Sequence, residues 1–209
     1  MVNQLSSQKG DMKNVETIAT KNLEQAFEII RELQIEKIWE KLDSKCYLVG
    51  SVKTGLIMNK LDIDFHTYSD DFSIAKSFNA ISQICQNPKI KEVTYRNLLD
   101  VEDMCLEWHL TYEETPERIW TIDIMHIKNE SPYAGVIERV TQKIKSALTK
   151  KLKQTILEIK WECSQQKVAT CGIDIYQAVI GDGIETFEEF KVWNQNKKES
   201  AISLWEPKA

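Results

Sequence analysis

Long hydrophobic runs are missing from this chain of 209 residues. No stretch approaches the roughly 18 consecutive apolar residues that suggest a membrane-spanning helix. The first twenty residues are polar and contain no apolar segment of the kind found in signal peptides. The sequence therefore predicts a cytoplasmic protein without a membrane partner.

An excess of basic charge is also missing, because 27 Lys and Arg stand against 32 Asp and Glu, for a net charge of −5. Proteins that grip long nucleic acids usually present basic surfaces that displace counterions from phosphates. The charge therefore disfavours a long nucleic acid as the partner. Cysteine is sparse as well: the five residues are odd in number and form no CxxC pair, which predicts reduced thiols.

Hydrophobic periodicity predicts a sheet-containing part followed by a helical part. The chain has enough apolar residues, 42%, to build a packed core. The fold class that we expect is α/β (α+β), with a mixed β-sheet and flanking helices. The expected divisions are a flexible tail over 1–14, a sheet domain over 15–130 and a small helical C-terminal subdomain over 131–209.

Two signals mark helix starts in the C-terminal part. Ser131 followed by Pro132 has the residue types that favour a helix cap and a first helical position. Thr186 and Glu189 have the spacing of a capping box. We therefore expect one helix to begin at Ser131 and another to follow Thr186.

The most informative strand is Leu61-Asp62-Ile63-Asp64-Phe65. Side chains alternate along a strand, so Asp62 and Asp64 leave the same face, with Cα atoms about 6.6 Å apart. A second strand, over 119–125, carries Asp123 between apolar neighbours. Carboxylates grouped in this way are suitable ligands for Mg²⁺, which prefers oxygen ligands and tolerates few protein groups. The competing interpretation is that the three aspartates are ordinary solvated residues of an exposed sheet face.

A turn that suits phosphate binding comes just before this strand. It contains Gly50, Ser51, Lys53, Thr54 and Gly55. Gly50 permits close backbone approach, and the residues after it can open a helix whose amides face an anion. The turn and the carboxylates together predict metal-assisted phosphoryl or nucleotidyl transfer.

The strand predicted over 104–113 has one polar face, which includes Glu107 and His109. If its apolar face packs on helices, the polar face is the one that also presents the aspartate pair. Glu107, His109 and His66 are therefore candidates for an acceptor site, and the alternative for each is a solvated side chain. His126 lies on the face opposite Asp123 and is expected to be structural.

The turn and the three aspartates resemble the signature of the DNA polymerase β-like nucleotidyltransferase superfamily. The matching positions are Gly50, Ser51, Gly55, Asp62, Asp64 and Asp123. The resemblance implies that the turn holds a nucleoside triphosphate. It also implies that the three carboxylates are catalytic and hold two Mg²⁺ ions, for which Mn²⁺ can substitute. Asn59-Lys60-Leu61 departs from the small polar residues that often precede the aspartate pair in this superfamily.

The function expected from this resemblance is transfer of a nucleoside monophosphate from a triphosphate to a hydroxyl of a small molecule, as in antibiotic-type members. Three alternatives stay open: a toxin-like enzyme acting on a protein or tRNA, a non-catalytic nucleotide-binding relative, and an interaction protein with chance aspartates. Lysines between residues 143 and 160 are expected to form a solvated helix face, although one or two could reach the triphosphate.

Overall fold

The structure is a computed structural model that describes residues 2–197 and 205–207, with the backbone alone described for residues 2–14. Its elements in chain order are α1 (Val2–Leu33), α2 (Ile35–Glu40), β1 (Ser44–Val49), α3 (Gly50–Thr54), β2 (Asp62–Ser69), α4 (Ile74–Ile84), β3 (Ile90–Leu98), β4 (Cys105–Thr115), β5 (Arg118–Ile127), α5 (Val136–Ala147), α6 (Lys150–Gln165), α7 (Gly172–Tyr176), a π-helical turn (Gln177–Gly181) and α8 (Phe187–Asn196). Within the described ranges, none of the helices combines the length and hydropathy needed to span a bilayer.

The five strands form one sheet in the order β1-β2-β5-β4-β3. β2 and β5 are parallel, and the other neighbouring pairs are antiparallel. The sheet is therefore mixed, as predicted. Because the parallel pair is β2 and β5, the strand with the aspartate pair lies directly beside the strand with the third aspartate.

Contacts divide the chain into two compact units. The sheet unit comprises Glu24–Lys53 and Leu61–Arg139, and the helical unit comprises Met1–Leu23, Thr54–Lys60 and Val140–Ala209. The domain boundaries expected from the sequence remain a prediction.

One face of the sheet is buried in the core of the sheet unit. Its apolar side chains from β4, Leu106, Trp108 and Leu110, are at most 2% exposed. Ser77 of α4 accepts a hydrogen bond from the indole N–H of Trp108 at 2.9 Å, so the one polar atom of that large side chain is satisfied. The alternation predicted for β4 is thus confirmed, and the opposite face presents the polar residues.

The helical unit contains the segment 54–60, whose middle residues Leu56, Ile57 and Met58 are at most 1% exposed. Two side-chain donors hold its backbone: Lys160 Nζ donates to the carbonyl of Leu56 at 2.7 Å, and the amide of Asn22 donates to the carbonyl of Met58 at 2.8 Å. Buried carbonyls need such partners because they have lost water. The segment is therefore an integral part of the core of this unit.

Of the two helix starts predicted in the C-terminal part, the structure has one. The capping box of Thr186 and Glu189 is confirmed, with both reciprocal hydrogen bonds present. The start predicted at Ser131 is wrong, because α5 begins at Val136. Ser131 instead donates to the carbonyl of Asp103 and accepts from the amide of Tyr133, so its hydroxyl caps a turn. α1 starts at Val2, so the segment 2–14, predicted to be a flexible tail, has a helical backbone.

Candidate active site

Gly50 joins β1 to the short helix α3 and lies against the aspartate strand. Its φ of +65° belongs to the left-handed region, which glycine adopts at little cost. A Cβ atom built at this position would lie 2.1 Å from Oδ2 and 2.9 Å from Cγ of Asp64. Any other residue would therefore be strained and would also displace the Asp64 carboxylate. This close approach explains why the turn needs glycine here.

The turn after Gly50 combines buried and exposed polar groups. Ser51 and Thr54 are 9% and 7% exposed, whereas Lys53 is exposed. Gly55 ends the turn with φ +73°. In the helical unit, Lys153 Nζ lies 3.6 Å from the place that a Cβ of Gly55 would occupy. Lys153 of α6 is thus beside Gly55 within the helical unit, and a role for the lysine-rich stretch at a triphosphate stays a prediction.

The three aspartates share the polar face of the sheet. The register pairs Asp64 of β2 with Asp123 of β5, and Asp62 with Thr121. Neighbouring strands are about 4.8 Å apart, so the Asp64 and Asp123 backbones are adjacent. Asp62 and Asp64 are partly exposed, while Ile63 and Phe65 between and after them are fully buried. The alternation deduced from the sequence therefore holds at this strand.

His109 bridges two carboxylates on the same face. Its Nδ1 lies 2.6 Å from Oδ1 of Asp123, and its Nε2 lies 3.1 Å from Oε1 of Glu107. Burial alone would lower the pKa of His109, but the hydrogen bond and charge of Asp123, together with Glu107, raise it above its usual value. Arg96 Nη1 approaches the other oxygen of Glu107 at 3.5 Å. The sequence placed Glu107 and His109 on this face but gave no signal that they contact each other or Asp123.

His66 also lies on this face, but it is 8% exposed and has a partner that the sequence did not reveal. Its Nδ1 is 3.1 Å from Oε1 of Glu138, which also accepts a hydrogen bond from the Tyr68 hydroxyl at 2.7 Å. Burial would raise the pKa of Glu138, but the hydrogen bonds and charge of its partners lower it. Glu138 is 72 residues from His66, so no local pattern could have linked them.

His126 lies on the other side of the sheet, as expected from its spacing to Asp123. It is fully buried, and its ring meets the ring of Trp39 edge-on, with centroids 4.9 Å apart. Its Nε2 is 2.9 Å from the Ser69 hydroxyl. Burial lowers its pKa to about 4.

The donor set on the polar face suits a hard divalent cation, since aspartates on adjacent strands supply oxygen ligands. Glycine at position 50 leaves room for the Asp64 carboxylate, which therefore stays available as an oxygen ligand for such a cation. In the described part of the chain, no group of three His, Cys, Asp or Glu side chains has already converged as a metal-binding set. Asp123 is instead engaged by His109.

The sequence matches no protein-family model and no curated protein. Its structure, however, is similar to solved structures. A cytoplasmic RNA terminal U-transferase matches with a TM-score of 0.51 and 12% identity, over 79% of this chain and 50% of that one. A variant of the Cid1 poly(U) polymerase bound to MgATP matches with a TM-score of 0.58 and 13% identity, over 82% and 55%. Cid1 in complex with the UTP analogue UMPNPP matches with a TM-score of 0.55 and 12% identity, over 83% and 54%.

The chain has a nucleotidyltransferase fold. At 12–13% identity the likeness concerns the fold alone, and this fold agrees with the mixed sheet and flanking helices expected from the sequence. The chain spans about half the length of the solved structures that it matches.

Proposed function

We propose that this protein is a Mg²⁺-dependent nucleotidyltransferase that moves a nucleoside monophosphate from a nucleoside triphosphate to a hydroxyl of a small-molecule acceptor. The observation that carries the proposal is the pairing of Asp64 with Asp123 on adjacent strands, with Gly50 packed against Asp64. A phosphate-binding turn and grouped carboxylates are the parts that metal-assisted phosphoryl transfer needs. The Mg²⁺-nucleotide complexes of structures with this fold support the choice of cofactor.

In this proposal, Asp62 and Asp64 would hold one Mg²⁺, and Asp123 would share a second with them. When bound, the ions neutralise charge on the phosphate oxygens and favour deprotonation of the attacking hydroxyl. The ion-binding role is consistent with the partial exposure of Asp62 and Asp64. Mn²⁺, which also accepts oxygen ligands, is expected to substitute.

The backbone amides of the turn from Gly50 and Ser51 to Gly55 contact the β and γ phosphates, with Lys53 and Thr54 contributing at its end. The acceptor oxygen attacks the α phosphorus in line, its bond to that phosphorus forms as the bond to the pyrophosphate oxygen breaks, and pyrophosphate leaves. The hydroxyl proton passes to a carboxylate, for which Asp123 and Glu107 are the candidates.

The acceptor is the part of the proposal with two candidates. A small molecule agrees with the net charge of −5, which provides little attraction for a polyanion. An RNA end or another macromolecule is the second candidate, because the proteins with similar structures are described as an RNA terminal U-transferase and a poly(U) polymerase. His66, Glu107 and His109 are the side chains of the polar face that we expect near the acceptor.

The test is label transfer. The protein is incubated with each α-³²P-labelled ribonucleoside triphosphate, Mg²⁺ and, in separate reactions, aminoglycosides, lincosamides, tRNA and a protein extract. Asp64→Ala is expected to abolish transfer while keeping the fold. Asp100→Ala, which removes an exposed aspartate outside the motif, is the matched control and is expected to keep transfer.

Each result has a defined meaning. Label on a small molecule supports the proposed acceptor. Label on tRNA or protein would instead show that the acceptor is a macromolecule, the second candidate. Mg²⁺-dependent triphosphate binding without transfer to any acceptor would favour a non-catalytic relative. Equal transfer by wild type and Asp64→Ala would refute the assignment of the site.

A further inference from the structure

A network of contacting polar side chains leads from Asp123 across the sheet and consists of His109, Glu107 and Arg96. The register places His109 of β4 opposite Asp123 of β5, and Arg96 of β3 opposite Glu107 of β4. The contacts run from Asp123 to His109 at 2.6 Å, from His109 to Glu107 at 3.1 Å, and from Glu107 to Arg96 at 3.5 Å. This side-chain network therefore spans the three neighbouring strands β5, β4 and β3.

We propose that His109 is a positioning residue, which fixes the carboxylate of Asp123 so that it can share the second cation of the reaction. The inference rests on the proposed function. It assigns to His109 a role that acts through Asp123 and requires no contact with the acceptor.

The geometry around His109 holds its ring in one orientation. Both ring nitrogens of His109 are engaged, one by each carboxylate, so the ring plane is fixed at both ends. Its side chain is 33% exposed and that of Glu107 is 16% exposed, so the ring is held at the surface of a packed face rather than surrounded by water. With both nitrogens engaged, the ring can lie near the acceptor but has no nitrogen left to hydrogen-bond to it.

Asp123 is the carboxylate whose orientation depends on His109. A short aspartate side chain on a strand can rotate, and a ligand that rotates loses affinity for its ion. The Nδ1 contact involves one of its two oxygens, Oδ1. Groups that hydrogen-bond a metal ligand in this way orient it, and their loss typically costs 10- to 100-fold in metal affinity or activity. Asp62 and Asp64 lie on another strand and do not depend on this contact.

Two substitutions separate the ends of the ring. The amide nitrogen of asparagine occupies roughly the place of the histidine Nδ1, whereas that of glutamine reaches the place of Nε2. His109→Asn can therefore keep the donor to Asp123 while losing Glu107. His109→Gln can keep the link to Glu107 while losing the donor to Asp123. The proposal requires His109→Asn to keep most of the affinity for the second cation and most of the kcat that His109→Gln loses.

The experiment measures Mn²⁺ binding by electron paramagnetic resonance, with a non-hydrolysable triphosphate analogue present, followed by steady-state kinetics in Mg²⁺. For His109→Gln we expect the dissociation constant of the second Mn²⁺ to rise and kcat to fall, each by about 10- to 100-fold. The first Mn²⁺ and the KM for the triphosphate should stay near their wild-type values. His109→Asn should recover most of both losses, and circular dichroism should show the same fold for all three proteins.

Several outcomes would overturn the proposal. One is an equal loss of affinity for the second Mn²⁺ and of kcat in His109→Asn and His109→Gln. The others are an unchanged dissociation constant for the second Mn²⁺ in His109→Gln, or a lower one in either variant. If wild type binds the triphosphate and two Mn²⁺ in each of these cases, the proposed function survives and the role of His109 alone is refuted. If wild type binds neither, the proposed function and the role of His109 fail together.

Discussion

Acid should destabilise this protein through His126, which has no place in the proposed chemistry. The side chain is fully buried, between Trp39 and Phe72, and its Nδ1 has no hydrogen-bond partner among the described residues. Burial lowers its pKa to about 4, and the charge of Lys76 acts in the same direction. The unfolded chain should titrate this group near 6.5.

The sign follows from which state binds the proton. Between pH 6.5 and pH 4 the unfolded chain is protonated at His126 and the folded protein is not, so acid favours unfolding. The contribution is fully present above pH 6.5 and is lost as the pH falls toward 4. Each pH unit between the two pKa values is worth about 1.4 kcal/mol. The loss is therefore about 3 kcal/mol, a large part of a typical free energy of unfolding of about 5–15 kcal/mol.

The measurement is urea unfolding followed by tryptophan fluorescence at pH steps from 7 to 4, for wild type and His126→Gln. Glutamine can reach Ser69 but does not titrate, so other groups that titrate cancel in the difference between the two proteins. We expect that difference to change by about 3 kcal/mol against wild type across this range. A difference that stays constant with pH would show that the pKa of His126 is not lowered.

Two further predictions concern other positions. Gly50→Ala should reduce nucleotidyl transfer by about 100-fold or more, because its Cβ would displace a carboxylate on the neighbouring strand. Gly183→Ala, with a similar φ of +72° and no atom within 4 Å, should keep activity, and equal activities would contradict the steric argument. Ser77→Ala should lower the free energy of unfolding by about 1–3 kcal/mol, since the buried indole N–H of Trp108 loses its acceptor. The exposed control Ser82→Ala should change it by less than about 0.5 kcal/mol in urea unfolding, and a similar loss in both variants would refute the role of Ser77.

The fold was predictable wherever a local pattern had one physical meaning. Alternation in β2 and β4 could be deduced because a strand repeats every two residues, and both are confirmed in the structure. The helix start at Ser131 was wrong because a serine that caps a turn and one that caps a helix use the same hydroxyl acceptor. The choice between them depends on Asp103, which is distant in sequence.

The candidate site was predictable as a set of positions but not as a set of contacts. The spacing of Gly50, Asp64 and Asp123 predicted a site for metal-assisted transfer, which stays a prediction, and the sheet register brings the two aspartates side by side. The bonds of His109 to Asp123 and of His66 to Glu138 carried no sequence signal. Each depends on which strands or helices become neighbours, and residue spacing along the chain does not encode that.

The placement of segment 54–60 affects how the chain can acquire its structure during synthesis. Leu56, Ile57 and Met58 are buried in a unit whose other parts come from the first 23 residues and from residue 140 onward. Met58 packs with Val15, Ala19 and Leu157, and Lys160 satisfies the Leu56 carbonyl. During synthesis these apolar side chains therefore stay exposed to water until about a hundred more residues have emerged from the ribosome. The turn that we assign to the triphosphate adjoins a segment that can reach its final environment only after α6 has been made.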